Sequence, residues 1–111
     1  MPKQIVTNDD LSKVVETSDE WIKSRTGIAQ RRIAAEETTS FMAAEAGRRA
    51  LEQSGTAPEE VELILLATSS PDDCFPNGSC QVQAMLGAVH AACYDISAAC
   101  SGFLFALNTA H

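Results

Sequence analysis

The sequence places Ser97-Ala98-Ala99-Cys100-Ser101-Gly102 between two apolar runs. Tyr94-Asp95-Ile96 is typical of the end of a buried strand, and residues 103–107 are typical of a helix that is apolar on every side. A cysteine at such a junction lies at a helix N-terminus, where free N–H groups and the helix macrodipole favour its thiolate. The small neighbours let a substrate come close and let the same amides bind a developing oxyanion. The junction therefore predicts a nucleophile at Cys100, with a buried structural cysteine as the alternative.

The pattern upstream of this junction is that of an α/β protein. Residues 61–68 and Ala92–Ile96 have the apolar character of parallel strands that are buried on both faces. A helix that starts at Asn77 or Gly78 and ends at Gly87 is predicted between them. Because active residues gather at the carboxyl ends of parallel strands, this order supports a site around Cys100.

Two short helices are predicted in the first quarter of the chain. Asn8 is expected to cap the first helix. Thr17 is expected to cap the second, because Thr17 and Glu20 have the spacing of a capping box. Gly27 is placed to end that second helix.

A longer helix is predicted to open at Thr39 or Ser40 and to run to Ser54, with Gly55 as its stop. Small residues at helical spacing predict that it presses closely on a sheet. These residues are Ala43, Ala46, Gly47, Ala50 and Leu51. The two predicted strands would leave open edges, so we expect the chain to be part of something larger.

Composition limits the classes of protein that fit. The net charge of −7 over 111 residues argues against a nucleic-acid-binding surface. The longest aliphatic run, Leu63–Ala67, is too short to span a membrane, and the N-terminus lacks the apolar stretch of a signal peptide. The four cysteines contain no C-x-x-C pair, so reduced thiols are expected and a metal site is not. A cytoplasmic location is the default expectation.

Half of the basic residues lie within ten positions, close to Trp21, the only tryptophan. These are Lys23, Arg25, Arg31 and Arg32. A cationic patch with an aromatic plate suits a phosphorylated, base-bearing small molecule or an acidic protein partner. A solvated charged face is the alternative.

Three groups of motifs resemble those of a known family. Thr17-Ser18-Asp19-Glu20-Trp21-Ile22, with Arg25-Thr26-Gly27-Ile28 and Arg32-Ile33-Ala34 after it, is similar to the N-terminal signature of the β-ketoacyl-[acyl carrier protein] synthases III. Phe75-Pro76, Cys80-Gln81-Val82-Gln83 and Leu86-Gly87 look like the segment that follows in that family. Residues 95–103 are similar to its active-site cysteine motif. The resemblance covers nearly the whole chain from Pro2 onward.

This resemblance implies an α/β, thiolase-like layered fold, of which the chain would be the N-terminal portion, and a homodimer. It also implies a condensing acyltransferase that initiates fatty-acid synthesis. An acetyl or other short acyl group passes from coenzyme A to a cysteine, and malonyl-acyl carrier protein is then decarboxylated and condensed with it. No cofactor is implied beyond acyl-CoA as substrate, and no metal, nucleic acid or membrane.

The resemblance also implies roles for individual residues. Cys100 would accept the acyl group, and its own amide would contribute to the oxyanion hole. Trp21 would stack on the adenine of coenzyme A, with Arg25 at the nucleotide portion and Thr17 nearby. Phe75 would reach across the dimer interface and line the partner's acyl pocket, with a simple core aromatic as the alternative.

One part of the family pattern has no match. The histidine and asparagine that promote decarboxylation and condensation have no counterpart here, and neither His90 nor His111 is placed to replace them. We therefore expect residues 1–111 to be a partial N-terminal thiolase-like domain, without its first strand and C-terminal half. Two alternatives remain: a non-catalytic remnant or interaction subunit, and a related synthase that makes polyketides, hydroxymethylglutaryl-CoA or quinolones. The motifs of residues 17–22 and 25–28 favour the synthase III branch over that last group.

Overall fold

The computed structural model describes residues 1–111 and divides the chain into two units. Unit 1 is Met1–Glu37 and unit 2 is Thr38–His111. Each unit contains one two-stranded sheet and the helices of the same part of the chain.

Unit 1 is built around an antiparallel pair of strands that are joined through two helices. Its elements in chain order are β1 (Gln4–Thr7), α1 (Asn8–Leu11), α2 (Asp19–Thr26) and β2 (Gln30–Ile33). The register pairs Gln4 with Ile33 and Thr7 with Gln30. Neither strand was expected, because β2 carries two arginines and both strands are short and without a clear apolar alternation.

The N-cap of each helix of unit 1 lies one residue away from the predicted cap. Thr7 caps α1 by accepting the backbone N–H of Asp10, and Ser18 caps α2 by accepting that of Trp21 at 3.1 Å. The prediction of Asn8 and Thr17 as caps was therefore wrong. The capping hydroxyl belongs to the residue before Asn8 for α1 and to the residue after Thr17 for α2. Gly27 ends α2 with a φ of +72°, as predicted.

Asn8 is instead the buried polar centre of unit 1. Its amide nitrogen donates to Asp19 Oδ1 and to the Ile28 carbonyl, both at 2.8 Å. Its amide oxygen accepts from Arg31 Nη2 at 2.7 Å. These bonds satisfy a buried amide and tie α1, α2 and the loop before β2 together, so Asn8 has a packing role and not a capping role.

Unit 2 has the predicted alternation of helix and strand. Its elements are α3 (Thr39–Ser54), β3 (Leu63–Ala67), α4 (Gly78–Leu86), β4 (Ala92–Ile96) and α5 (Gly102–Ala110), with short 3₁₀ turns at Pro58–Glu60 and Ala99–Ser101. Strands β3 and β4 are parallel, in a register that runs from Leu63↔Ala92 to Ala67↔Ile96. Helix α4 packs on both strands, α3 packs on α4, and α5 packs on β3 and β4. The α/β class is confirmed.

The inward stripe of α3 differs in phase from the predicted one. Ser40 and Ala44 are the buried residues, whereas Ala46 and Ala50 are exposed. The packing partner is also different, because the stripe faces helix α4 rather than a sheet. A Cβ atom on Gly47 would lie 3.0 Å from Leu86 Cδ1, so a small residue at this position lets the two helices come close.

Candidate active site

Cys100 is exposed and lies in a single turn between β4 and α5. The turn, Ala99–Ser101, is 3₁₀-helical and is bounded by a hydrogen bond of 3.0 Å from the Ser101 N–H to the Ala98 carbonyl. Ala99 has a φ of +43°, and it is the only residue other than glycine with a positive φ. This strained backbone directly precedes the thiol, as is common where a fold aims a functional side chain.

Gly102 holds the start of α5 against the end of β3. It is buried, and a Cβ atom at this position would lie 3.1 Å from Ala67 Cβ. This contact would be tighter than a Cβ atom normally makes, which favours a glycine after the Cys100 turn. The position of Cys100 therefore depends on backbone packing between α5 and the strand.

An apolar groove of about 580 Å³ runs beside Cys100. Strand β3 and helix α5 supply most of its lining. The lining residues are Leu63, Leu65, Ala67, Ala99, Cys100, Phe103, Ala106, Leu107 and Ala110. An exposed thiol beside such a groove can carry an acyl chain as a thioester while the groove covers the chain's apolar surface.

Asp95 fixes the start of α4 next to the end of β4. Its carboxylate accepts the Gly78 N–H at 3.0 Å and the Ser79 N–H at 2.8 Å. Two free N–H groups of the helix N-terminus are thereby satisfied by a negative charge. From the sequence, Asp95 was expected at a strand end and within the motif of residues 95–103, with no structural role of its own. An acidic residue inside an apolar strand needs a partner, and that signal could have identified it.

Phe75 lies in the loop that leads into α4 and is 92% exposed. Its peptide bond to Pro76 is cis. The exposure excludes the alternative of a core aromatic in unit 2, and Phe75 is not among the residues that line the Cys100 groove. The role that the resemblance implies for Phe75, at a dimer interface, stays a prediction.

In unit 1, α2 brings Trp21 and Arg25 together. The guanidinium carbon of Arg25 lies 4.5 Å from the centroid of the Trp21 ring, within the range of a cation–π contact. Trp21 remains 53% exposed. Thr17 and Trp21 both line a cavity of about 590 Å³, and the buried hydroxyl of Thr17 has no hydrogen-bond partner. The three predicted binding residues are therefore neighbours.

The other cations of the predicted patch are engaged within the unit. Lys23 donates to Asp19 at 2.8 Å, and Arg31 donates to the Asn8 side chain. Arg32 donates to the Pro2 carbonyl at 3.3 Å. Of the four clustered basic residues, Arg25 alone stacks on Trp21, so the cationic patch is smaller than the sequence indicates.

No group of three or more His, Cys, Asp or Glu side chains is arranged to hold a metal ion. None of the helices combines the length and the apolar content that crossing a membrane requires.

Comparisons with known proteins identify close relatives over almost the whole chain. The β-ketoacyl-[acyl-carrier-protein] synthase III of Clostridium acetobutylicum is 57% identical over 110 residues, which are 99% of this chain and 34% of that protein. The synthase of the same name from Synechococcus elongatus is 59% identical over 98% of this chain and 33% of that protein. No protein-family model matches the chain.

Solved structures agree with these sequence relatives. The crystal structure of 3-oxoacyl-[acyl-carrier-protein] synthase III from Aquifex aeolicus superposes with a TM-score of 0.93 at 54% identity, over 99% of this chain and 36% of that one. The priming β-ketosynthase of a polyketide biosynthetic pathway gives a TM-score of 0.91 at 40% identity, over 98% of this chain and 33% of that one. The expected thiolase-like α/β fold is confirmed, and the chain spans about a third of the length of the relatives that it matches. Over nearly all of its residues the chain is therefore a homologue of the β-ketoacyl-[acyl-carrier-protein] synthases III, corresponding to about a third of such a synthase.

Proposed function

We propose that this chain carries the acyl-accepting centre of a β-ketoacyl-[acyl carrier protein] synthase III, the condensing enzyme that initiates fatty-acid synthesis. Cys100 takes an acetyl or other short acyl group from coenzyme A. Malonyl-acyl carrier protein is then decarboxylated and condensed with that group in the whole protein. The enzyme works in the cytoplasm and without a cofactor other than its acyl-CoA substrate.

The observation that carries this proposal is the setting of Cys100. The thiol is exposed, follows a residue with a strained backbone and lies beside an apolar groove. An exposed thiol can meet a thioester from solution, whereas a buried structural cysteine could not. The groove has the apolar lining that an acyl chain requires.

The first half-reaction can be written with this chain's own atoms. The Cys100 thiolate attacks the carbonyl carbon of the acyl-CoA thioester, and the carbonyl oxygen becomes an oxyanion that the Cys100 amide helps to stabilise. The bond from that carbon to the sulfur of coenzyme A then breaks. Coenzyme A leaves as a thiolate and takes up the proton that Cys100 has lost, so a thioester on Cys100 replaces the thioester on coenzyme A.

We assign the coenzyme A contact to Thr17, Trp21 and Arg25 in unit 1. The exposed half of the Trp21 ring leaves room for adenine to stack, and Arg25 supplies the positive charge that a phosphate requires. The unpartnered Thr17 hydroxyl, in the wall of the same cavity, is available to a polar ligand atom.

We assign Phe75 to a homodimer interface. In this chain Phe75 is 92% exposed, so its apolar ring is in contact with water. A partner subunit's acyl pocket would cover that ring. The condensation step needs a histidine and an asparagine. His90 and His111 are not candidates for that histidine, because neither of them lines the Cys100 groove.

A second candidate function is priming of polyketide synthesis. The 40% identity to a priming β-ketosynthase of a polyketide pathway supports it. Initiation of fatty-acid synthesis and priming of polyketide synthesis both begin with acylation of Cys100, and they differ in the product that leaves the whole protein. The identity of the carrier protein that holds the first condensation product distinguishes the two functions.

The experiment is incubation of the chain with acetyl-CoA labelled in the acetyl group, followed by addition of malonyl-acyl carrier protein. We expect label on the protein as a thioester that hydroxylamine releases, and no labelled β-ketoacyl product from these 111 residues alone. Cys100→Ser is expected to remove the label, and Cys74→Ser, at the other exposed thiol, to keep it. Label on Cys100→Ser would contradict acylation at Cys100, and β-ketoacyl product would contradict the assignment of condensation to the whole protein.

A further inference from the structure

A pair of thiols lies apart from the Cys100 groove. Cys80, in the first turn of α4, and Cys93, in β4, have their Sγ atoms 3.2 Å apart. Both residues are half-buried, whereas Cys74 and Cys100 are exposed. All four cysteines are reduced, so this is a dithiol.

Neighbouring groups hold the two sulfurs in place. The Asp95 carboxylate binds the first turn of α4 through the N–H groups of Gly78 and Ser79. Asp95 follows Cys93 by two positions in β4, so both side chains leave the strand on the face that meets α4. The turn with Cys80 and the strand with Cys93 are therefore fastened together next to the sulfur pair.

The side chain of Gln83 orients the thiol of Cys93. Its amide nitrogen donates to the carbonyls of Ala88 and Ala91, at 3.2 and 2.7 Å, which fixes its oxygen. That oxygen accepts the Cys93 S–H at 3.4 Å. Because the Cys93 proton points at Gln83, the Cys80 thiol donates to the Cys93 sulfur, and a lone pair of Cys93 faces Cys80.

We propose that Cys80 and Cys93 form a redox-active pair that closes to a disulfide within one chain when it meets a peroxide. A disulfide bond of about 2.05 Å requires the sulfurs to move about 1 Å closer, which side-chain rotation can supply. Such reversible disulfides are the kind found in reducing compartments, where they report oxidation. The proposal is independent of the function assigned to Cys100.

The reaction balances in two steps. Cys80–SH reacts with H₂O₂ to give Cys80–SOH and water. The Cys93 thiol then attacks the sulfur of Cys80–SOH, the S–OH bond breaks, and the hydroxyl leaves as water with the Cys93 proton. The two sulfurs have lost two electrons, and both oxygens of the peroxide have been reduced to water.

Cys80 is assigned the first step because Cys93 is the poorer nucleophile. Burial raises the pKa of the Cys93 thiol, and the adjacent Cys80 raises it further. A thiol with a raised pKa holds less thiolate, the form that reacts with peroxide. Cys93 is therefore the resolving thiol, which acts once Cys80 carries the sulfenic acid.

The test uses the double variant Cys74→Ser/Cys100→Ser, in which Cys80 and Cys93 are the only thiols. The variant is treated with H₂O₂, free thiols are alkylated, and the chain is digested with chymotrypsin, which cleaves after Leu86 and Tyr94. We expect the peptide of residues 87–94 to be joined to the peptide that contains Cys80. The mass of the joined product should be about 2 Da below the summed masses of the two peptides, and reduction should separate them. Adding Cys93→Ser is expected to leave a sulfenic acid on Cys80 that dimedone traps.

Two results would overturn the proposal. One is that both peptides emerge separately without a reductant while circular dichroism shows the double variant to be folded. The other is that the joined peptides come from two different chains, seen as a covalent dimer whose yield rises with protein concentration.

Discussion

The carboxylate of Asp95 accepts the backbone N–H of Ser79 at 2.8 Å and so joins strand β4 to the start of helix α4. Asp72 does the same for the start of α3, where it accepts the N–H groups of Thr39 and Ser40 at 2.8 and 2.7 Å. In both cases an acidic side chain from a different element satisfies the free N–H groups of a helix N-terminus. Unit 2 thus depends on two carboxylates for the relative placement of its helices.

Replacing Asp95 is expected to destabilise unit 2. Asp95→Ala leaves the Gly78 and Ser79 N–H groups without an acceptor, which should lower the free energy of unfolding by about 1–3 kcal/mol. Asp95→Asn keeps one acceptor oxygen and should cost less. Urea unfolding followed by circular dichroism measures both, with Glu52→Gln as a control that removes a charge from an exposed residue of α3. Equal stability of Asp95→Ala and wild type would contradict this role.

Gly102→Ala is expected to lower the stability by about 1–3 kcal/mol, because the new methyl group would meet the Cβ of Ala67 on the adjacent strand. Gly47→Ala is the matched control. Its methyl would meet only the flexible end of Leu86, and alanine also favours a helix more than glycine does. Thermal unfolding should therefore separate the two variants, and a Gly102→Ala protein as stable as Gly47→Ala would be contrary to the packing described.

The stability contributed by Asp72 should depend on pH. Hydrogen bonds from the backbone N–H groups of Ser40 and Thr39 lower the pKa of this carboxyl from its ordinary value of 3.8 to about 2. A carboxyl with a depressed pKa in the folded state stabilises the fold above its ordinary pKa, and the stabilisation is lost as the pH falls toward about 2. Wild type should therefore be more stable than Asp72→Asn at neutral pH.

The measurement is the melting temperature of both proteins across a series of pH values. The difference should be constant above about pH 5 and should shrink steadily from about pH 4 to about pH 2, the window set by the two pKa values. Other carboxyl groups titrate alike in both proteins, so the comparison isolates Asp72. A difference that stays the same throughout would rule out a role for its charge.

Coenzyme A is expected to change the fluorescence of Trp21, the only tryptophan of the chain. Arg25→Ala removes both the cation on the ring and the proposed phosphate contact, so it should weaken binding about tenfold, the equivalent of about 1.4 kcal/mol. Lys3→Ala removes an equal charge from an exposed residue elsewhere in unit 1 and should leave the affinity unchanged. Equal weakening by the two variants would indicate a general effect of charge and no site at Trp21.

The elements with a strong local signal were predictable. β4 was predicted with its observed bounds, and α3 was predicted to within a residue at its start, because an apolar run and a glycine stop are properties of neighbouring residues. The place of Cys100 followed from the apolar runs on either side of it. Its expected role in catalysis stays a prediction.

The remaining features depend on partners that are distant in the sequence. Asp95 is 16 residues from Ser79, and Asp72 is 32 residues from Ser40, so no local pattern identifies the partner of either carboxylate. The polar strand β2 forms because β1 pairs with it, and Thr7 rather than Asn8 caps α1 because the Asn8 side chain is used in the core of unit 1. Tertiary contacts decide these cases, and propensity does not.

The most direct test of the central claim compares Cys100 with Cys74, since both thiols are exposed in unit 2. The chain is incubated with acetyl-CoA, and the acetyl group on each cysteine is measured over time by mass spectrometry of chymotryptic peptides, with wild type and Gly102→Ala side by side. We expect acetylation of Cys100 to be faster than that of Cys74, and the Gly102→Ala change to slow only Cys100. Equal rates at the two thiols, or faster reaction at Cys74, would contradict the assignment of Cys100 as the acyl-accepting residue.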